Sequence, residues 1–276
     1  MPRLFQTCQH TFSSWLSFGI QFVNINRITF EKRNGKEFVS KSRTPLSAGL
    51  ISTGNFVFRN RRVPIRVLHR NEWIDWEKSV NQALGNDSIS DSETSPKRLF
   101  LNRIPGQPIG TCMNQSTDVA TKLQMVASAT DGLWNLHQHS LDGWPLSHAD
   151  ASVQNVMFDR ETGNTQWFDF DLRHSGSTKA VARHADDLRA LAFTAVTFFT
   201  NDSVAQLADT LIQNYPTPEV WSEWIDQSPT WFSGDVFHRA QIHRAKRSNK
   251  SGSKICSRIE LELAQSIGKA LKVRTQ

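Results

Sequence analysis

Four residues able to do acid–base and metal chemistry stand close together around a short hairpin. His148, Asp150, Asn155 and Asp169 follow one another within LSHADASVQNVMFDRETGNTQWFDFD, residues 146–171. Val156-Met157-Phe158 and Gln166-Trp167-Phe168 each read as a brief buried strand, and Asp159 to Asn164 supplies the turn between them. Asp150 and Asn155 then lie just before the first strand and Asp169 just after the second. Closing the hairpin brings those ends together, so two carboxylates and an amide oxygen converge. Hard oxygen donors clustered in this way suit Mg²⁺ carrying substrate phosphates. A purely structural hairpin would use similar turn residues; the joint spacing, with His148 added, sets the chemical reading apart.

H-x-D-x-x-x-x-N followed by a hairpin and D-F-x resembles the catalytic loop and metal-binding motif of the protein-kinase-like superfamily. The wording here, HAD-x4-N with F-DFD, is most similar to the kinases that phosphorylate Kdo or heptose sugars of lipopolysaccharide. Aminoglycoside- and choline-type phosphotransferases come next. The resemblance covers residues 26–200 and is densest over 146–191. It implies an α+β, two-lobed fold: a small, reduced, β-rich N-terminal lobe over 1–103 and a mostly helical C-terminal lobe over 104–276. It also implies ATP and Mg as cofactors. Asp150 would take the proton of the acceptor hydroxyl, His148 would pack the loop, and Asn155 and Asp169 would hold the metal. Asp187, which opens D-L-R-A-L, would brace the catalytic loop through its backbone N–H groups. Asp171 stands where protein kinases have Gly, and is left between extra metal and a neighbouring basic group such as Arg173.

The elements that must position these groups are legible in outline. Residues 26–43 read as a hairpin turned by Asn34-Gly35. Phe38-Val39-Ser40-Lys41 stands where the family has V-A-I-K, which makes Lys41 the phosphate-gripping lysine the resemblance implies. Val57 to Leu68 reads as irregular strand. A helix follows over Asn71–Leu84, with Asn71 as N-cap and Gly85 at its end. Its glutamate partner for Lys41 is Glu72 or Glu77, each roughly 70° from the centre of the apolar face. A Glu-Trp start resembles the sugar kinases and favours Glu72. No G-x-G-x-x-G precedes the hairpin, where the one glycine is Gly19, so the phosphate-covering loop is shortened or built differently.

Residues 86–96 form a polar loop, and Leu99-Phe100-Leu101 is a strand that leads into Ile104-Pro105-Gly106. That segment resembles the adenine-binding hinge of small-molecule kinases, with Ile104 and Gly106 beside the base and the domain boundary there. Ser116–Ser140 reads as one long helix capped by Ser116 or Thr117. After Leu172–His184 another helix runs through Phe199, with Ala185, Leu188, Ala192, Ala195 and Phe199 facing inward. Ser203–Tyr215, Thr217–Asp226 and Ile255–Val273 are helical too, with Pro218 at a first helical position. The basic run over 239–254 reads as a solvated loop.

Composition narrows the function class. Nine Trp, 17 Phe and 38% hydrophobic residues in a 276-residue chain exclude a disordered protein. A formal net charge of +6 favours an anionic partner: a nucleotide, a phosphosugar or an anionic lipid surface. Cys8, Cys112 and Cys256 give neither a disulfide framework nor a zinc pattern, which points to a reducing compartment. No apolar run is long enough to span a bilayer. The expected location is cytoplasmic, with peripheral contact to an anionic membrane surface, one route being Trp15, Leu16 and Phe18. Asp187 follows Asp169 by only eighteen residues and A-P-E is absent, leaving no long activation segment on which a protein substrate could rest. Ser152 also stands where Ser/Thr protein kinases place a lysine. The expected partners are therefore ATP and a small-molecule or glycolipid acceptor, with no nucleic acid. A pseudokinase serving as a binding or scaffold module is the competing class, and a Ser/Thr protein kinase a third.

Overall fold

The structure, a computed structural model, describes residues 25–33, 35–86, 98–227, 236–249 and 259–274. Trp15, Leu16, Phe18, Gly19, Asn34 and most of the acidic loop before residue 98 lie outside them, as do Cys8 and Cys256.

Strands β1 (Asn26–Arg33) and β2 (Lys36–Arg43) form an antiparallel hairpin in which Gly35, at φ +77°, turns the chain. Such a dihedral is open to glycine at no steric cost. Instead of irregular strand, residues 47–58 form helix α1 (Ser47–Phe58), and only Ile65–Val67 is extended, as β3. The apolar residues of 57–68 are divided between those two elements, with Phe58, Ile65 and Val67 meeting in one small core. Helix α2 (Arg70–Ala83) starts one residue before the expected Asn71, with His69 at the cap position and Gly85 at φ +66° after its end. Strand β4 (Leu99–Asn102) pairs with β2, so the sheet order is β1-β2-β4.

The chain then changes character. β5 (Gln107–Pro108) leads into the short helix α3 (Ile109–Gln115), and α4 (Val119–Gln138) follows after a break. The single helix expected over 116–140 therefore begins later. Its cap is Asp118, whose carboxylate accepts from the N–H groups of Ala120 and Thr121, in place of Ser116 or Thr117. After a tight β6 (Ser140–Leu141) and β7 (Trp144–Pro145) pair comes the expected hairpin, β8 (Val156–Phe158) with β9 (Thr165–Trp167). β10 (Leu172–His174) pairs back onto β3, tying the segment after Asp169 to the N-terminal part of the chain.

Helix α5 (Ala180–Ala195) is buried from Arg183 onward. Around it stand α6 (Val204–Asn214), α7 (Pro218–Gln227), α8 (Val236–Ser248) and α9 (Ile259–Arg274). Residues 239–248, read as part of a solvated loop, are thus helical in α8. The reason is visible in the burial: His238, Gln241 and Ala245 recur at helical spacing on its inner side. Cys112 is buried and unpaired. No helix among the described residues is long and apolar enough to cross a membrane.

Candidate active site

The hairpin does to residues 150–169 what its spacing predicted. Val156 pairs with Trp167, and the Phe168 N–H donates to the Asn155 carbonyl at 3.1 Å, so residues 155 and 168 lie side by side at its open end. The Asn155 amide donates to the Asp150 carbonyl at 2.9 Å, closing the loop 150–155 on itself. His148, fully buried, bonds through Nε2 to the Phe168 carbonyl at 2.9 Å, with its ring against Trp167 and Phe170. Asp187, at the middle of α5, accepts the N–H groups of His148 and Ala149, both at 2.7 Å. His137 bonds to the same carboxylate at 3.0 Å. Burial opposes the charged form of Asp187, but His174, His137 and His148 outweigh it and hold its pKa at about 2. Ala149 (φ 67°) and Asp169 (φ 69°) both adopt the left-handed region, a strained backbone that persists only where its surroundings fix it.

Opposite this loop lies a buried cation. Lys41 and Arg43 alternate onto one face of β2, where each sits over the Trp73 ring, at 5.1 Å and 4.6 Å. Lys41 Nζ meets Glu77 Oε2 at 3.0 Å and Asp171 Oδ1 at 2.8 Å, and also bonds to Asp169 Oδ1. The glutamate is therefore Glu77. Glu72 points away and pairs with Arg66 on the surface. The buried stripe of α2 runs through Trp73, Ile74, Glu77, Val80 and Asn81, so Glu77 stands in line with Trp73 and Val80. The Trp73 indole fixes it further, donating to Glu77 Oε2 at 2.6 Å. Asp171 faces basic groups, but they are Lys41 and Arg43 (3.4 Å), with Asn26 donating to it as well. Arg173 instead lies over Trp76.

Three carboxylates, Glu77, Asp169 and Asp171, thus share two cations, Lys41 and Arg43. Burial disfavours a charged lysine, yet Asp169, Asp171 and Glu77 outweigh it and hold Lys41 above its ordinary value. Burial pushes Glu77 up to about 7 despite the pull of Lys41. Burial and the neighbouring Asp169 likewise raise Asp171. Asp169 is also desolvated, but the Lys41 ammonium beside it keeps it below the usual carboxylate range. The Arg244 guanidinium adds a further positive charge that acts on Asp169.

Three oxygens around this cluster have no protein partner among the described residues: Asp150 Oδ2, Asn155 Oδ1 and Asp169 Oδ2. Their companion atoms are all engaged, which holds each side chain in place. Among the described residues no group of three or more His, Cys, Asp or Glu is arranged to hold a metal. An amide, a carboxylate and substrate phosphates together are nevertheless a normal donor set for Mg²⁺, which dispenses with an all-protein cage. The residues present fit that ion.

The two hinge positions are less telling. Ile104 is half-buried, and Gly106 has φ +89° with a backbone packed so tightly on β8 that an added Cβ would lie 2.1 Å from the Phe158 carbonyl oxygen. Gly106 is required by packing whatever binds nearby. Sequence reasoning missed Arg43, which two-residue alternation from Lys41 could have found. It also missed Gln241 of α8, whose amide reaches Asp150 Oδ1 at 2.5 Å across 91 positions, with no local signal to announce it.

No family model matches the chain. No curated protein matches it in sequence. Solved structures do match. The chain is similar to WaaP in complex with acyl carrier protein, at 12% identity over 82% of this chain and 86% of that one, with a TM-score of 0.44. It is also similar to the Rv3197–erythromycin complex from Mycobacterium tuberculosis, at 10% identity over 90% of this chain and 71% of that one, with a TM-score of 0.38. At such low identity the roles of the residues rest on their own geometry.

Proposed function

We propose that the chain is an ATP- and Mg²⁺-dependent phosphotransferase. Its acceptor is a hydroxyl of a sugar, of a glycolipid of the lipopolysaccharide-core type, or of another small molecule. The observation that carries this reading is the buried lysine, Lys41, gripped by Glu77 of α2 and Asp169 beside the catalytic loop. A lysine placed in this way can turn its charge to the oxygens of a phosphate chain while Glu77 fixes its stem. In this reading residues 1–103 form one lobe and 104–276 the other, with the nucleotide between them and Ile104 and Gly106 at the hinge. The net charge of +6 suits an anionic nucleotide and an anionic acceptor or membrane surface on the cytoplasmic side.

Asp150 Oδ2 takes the acceptor's hydroxyl proton as the acceptor oxygen bonds to the γ-phosphorus and the bond to ADP breaks. Asn155 Oδ1 and Asp169 Oδ2 are the protein oxygens that would hold Mg²⁺. When bound, the ion would supply positive charge that offsets the phosphate oxygens. His148 and Asp187 keep the loop in its strained conformation. Most of the rate enhancement then comes from position and charge, since the phosphoryl transition state is loose.

A thermal shift with ATP, with and without Mg²⁺, tests the reading. A ligand binding only the folded protein at 100 times its Kd stabilises it by about 2.7 kcal/mol, and the shift is expected only with the metal. ADP release with free sugars tests turnover. A second reading, a kinase-like module that binds without catalysis, is favoured by the engagement of Lys41 by all three carboxylates. It expects no metal-dependent shift.

A further inference from the structure

Helix α8 faces the catalytic loop with the charge of Arg244, which acts on Asp150 and Asp169, and with one side chain that bonds to Asp150 directly. Gln241, 7% exposed, directs Nε2 to Asp150 Oδ1 at 2.5 Å. Its other end, Oε1, faces His238 Nδ1 at 2.7 Å, one turn earlier on the same helix. The amide can point only one way, because reversing it would set two oxygens against each other at Asp150. Since Oε1 only accepts, the imidazole hydrogen lies on Nδ1. His238 Nε2 stands between Arg61 Nη2 at 3.0 Å and Asp186 Oδ1 at 3.1 Å. Asp186 is itself held by Arg61, Arg189 and His174. An unbroken chain of buried polar contacts therefore runs from Arg61 and Asp186 through His238 and Gln241 to Asp150. The adjacent Asp187 bonds to His137 and meets the loop through backbone N–H groups, so the two neighbouring aspartates of α5 serve different parts of one loop: one its main chain, the other, through two intermediaries, its reacting side chain.

We propose that Gln241 is a positioning residue for Asp150, holding Oδ1 so that Oδ2 faces the acceptor hydroxyl. The inference rests on the phosphotransferase reading and deepens it, because it extends the site to a helix that lies outside the catalytic motif. An unheld carboxylate rotates about its last bond, and a reacting oxygen displaced by about 1 Å can lower turnover up to a hundredfold. Gln241 does not touch the nucleotide in this arrangement, so ATP binding is independent of it.

The test uses the full chain with Mg-ATP and a panel of free hexoses and heptoses, following ADP release. Gln241→Met keeps the volume and loses both bonds. Gln241→Glu keeps the shape and the acceptor for His238, but sets an oxygen against Asp150. Both are expected to lower kcat by about ten- to a hundredfold, with KM for ATP within twofold of the wild type and the Mg-ATP thermal shift retained. A residue that merely fills space would tolerate Glu, and a variant that fails to fold shows itself in the missing thermal shift, leaving the other to decide. If the wild type turns over and the folded variants match its kcat within twofold, the role of Gln241 is overturned and the phosphotransferase reading stands. If the wild type shows no Mg²⁺-dependent turnover at all, the reading fails and the inference falls with it.

Discussion

Two glutamates five residues apart on one helix have opposite fates, and the difference is measurable. Glu77 is buried, accepts from the Trp73 indole and pairs with Lys41. Glu77→Ala leaves Lys41 to Asp169 and Asp171 but strips the buried Trp73 indole of its acceptor, so it is expected to destabilise by about 1–3 kcal/mol and to weaken ATP binding. Glu72 faces solvent against Arg66, each side chain more than a third exposed. An exposed pair contributes below about 1 kcal/mol, so Glu72→Ala should leave both quantities nearly unchanged. Chemical denaturation and the Mg-ATP thermal shift read the contrast; equal losses would place the lysine's partner elsewhere. Asp169 carries a sharper expectation, since its Oδ2 is the one carboxylate oxygen proposed for the metal. Asp169→Ala is expected to abolish ADP release and to make the thermal shift with ATP insensitive to Mg²⁺. An Asp169→Ala protein that still turned over would discard the metal assignment.

At the scale of elements, the hairpin was the most readable part of the molecule. Its strands are short, apolar and bounded by turn residues, and its pairing needs only contacts within fifteen positions. The packing of β5 against it could not be read in advance, because Gly106 and Phe158 are brought together by the fold. A Gly106→Ala substitution meets both a left-handed backbone and the Phe158 carbonyl, and is expected to destabilise by about 3–4 kcal/mol. Gly143, at φ +78° with open space where a Cβ would go, is the control, and Gly143→Ala should show only the backbone strain, about 1–2 kcal/mol. Thermal midpoints of the two variants separate crowding from strain; identical values would show that β5 gives way. The same division explains where the sequence misled. Apolar periodicity was divided correctly into helices over 203–226, where each helix carries its own buried stripe. It failed over 57–68 and 239–248, where the decisive neighbours are β10, α5 and the loop 148–155, all distant in the chain. The choice of Glu72 over Glu77 failed differently: both lie at similar angles from the apolar face of α2, the Glu-Trp start favoured Glu72 by resemblance, and the contact with Lys41 that selects Glu77 is made across 36 positions.

Across the whole molecule, the proposed site depends on charges and imidazoles that the fold keeps out of water. His137 and His184 stack at 3.9 Å beside the loop 146–155, His137 bonding to Asp187 and His184 to the Leu146 carbonyl. Burial, with the neighbouring His137, lowers the pKa of His184 from 6.5 to about 3. In the unfolded chain the same ring takes its proton near the ordinary value, so between these limits the unfolded state binds more protons than the folded one. Stability therefore rises with pH across that window; it is fully present above about 6.5 and is lost as pH falls toward about 3. Asp187, lowered from 3.8 to about 2, adds a second loss of the same sign at the acid end of this range. The loop that Asp187 and His184 support should consequently loosen on mild acidification, before most carboxylates are protonated. Glu77, raised to about 7, contributes with the opposite sign over the same window, so the histidine's part is read as the difference between wild type and variant in urea midpoints measured from pH 7 down to pH 4. In His184→Asn, which cannot titrate but retains an amide donor for the Leu146 carbonyl, the midpoint at pH 7 should be lower and the decline between pH 6 and 4 flatter. Parallel declines in the two proteins would assign the acid sensitivity to another group, and would free the histidine stack from any part in holding the loop.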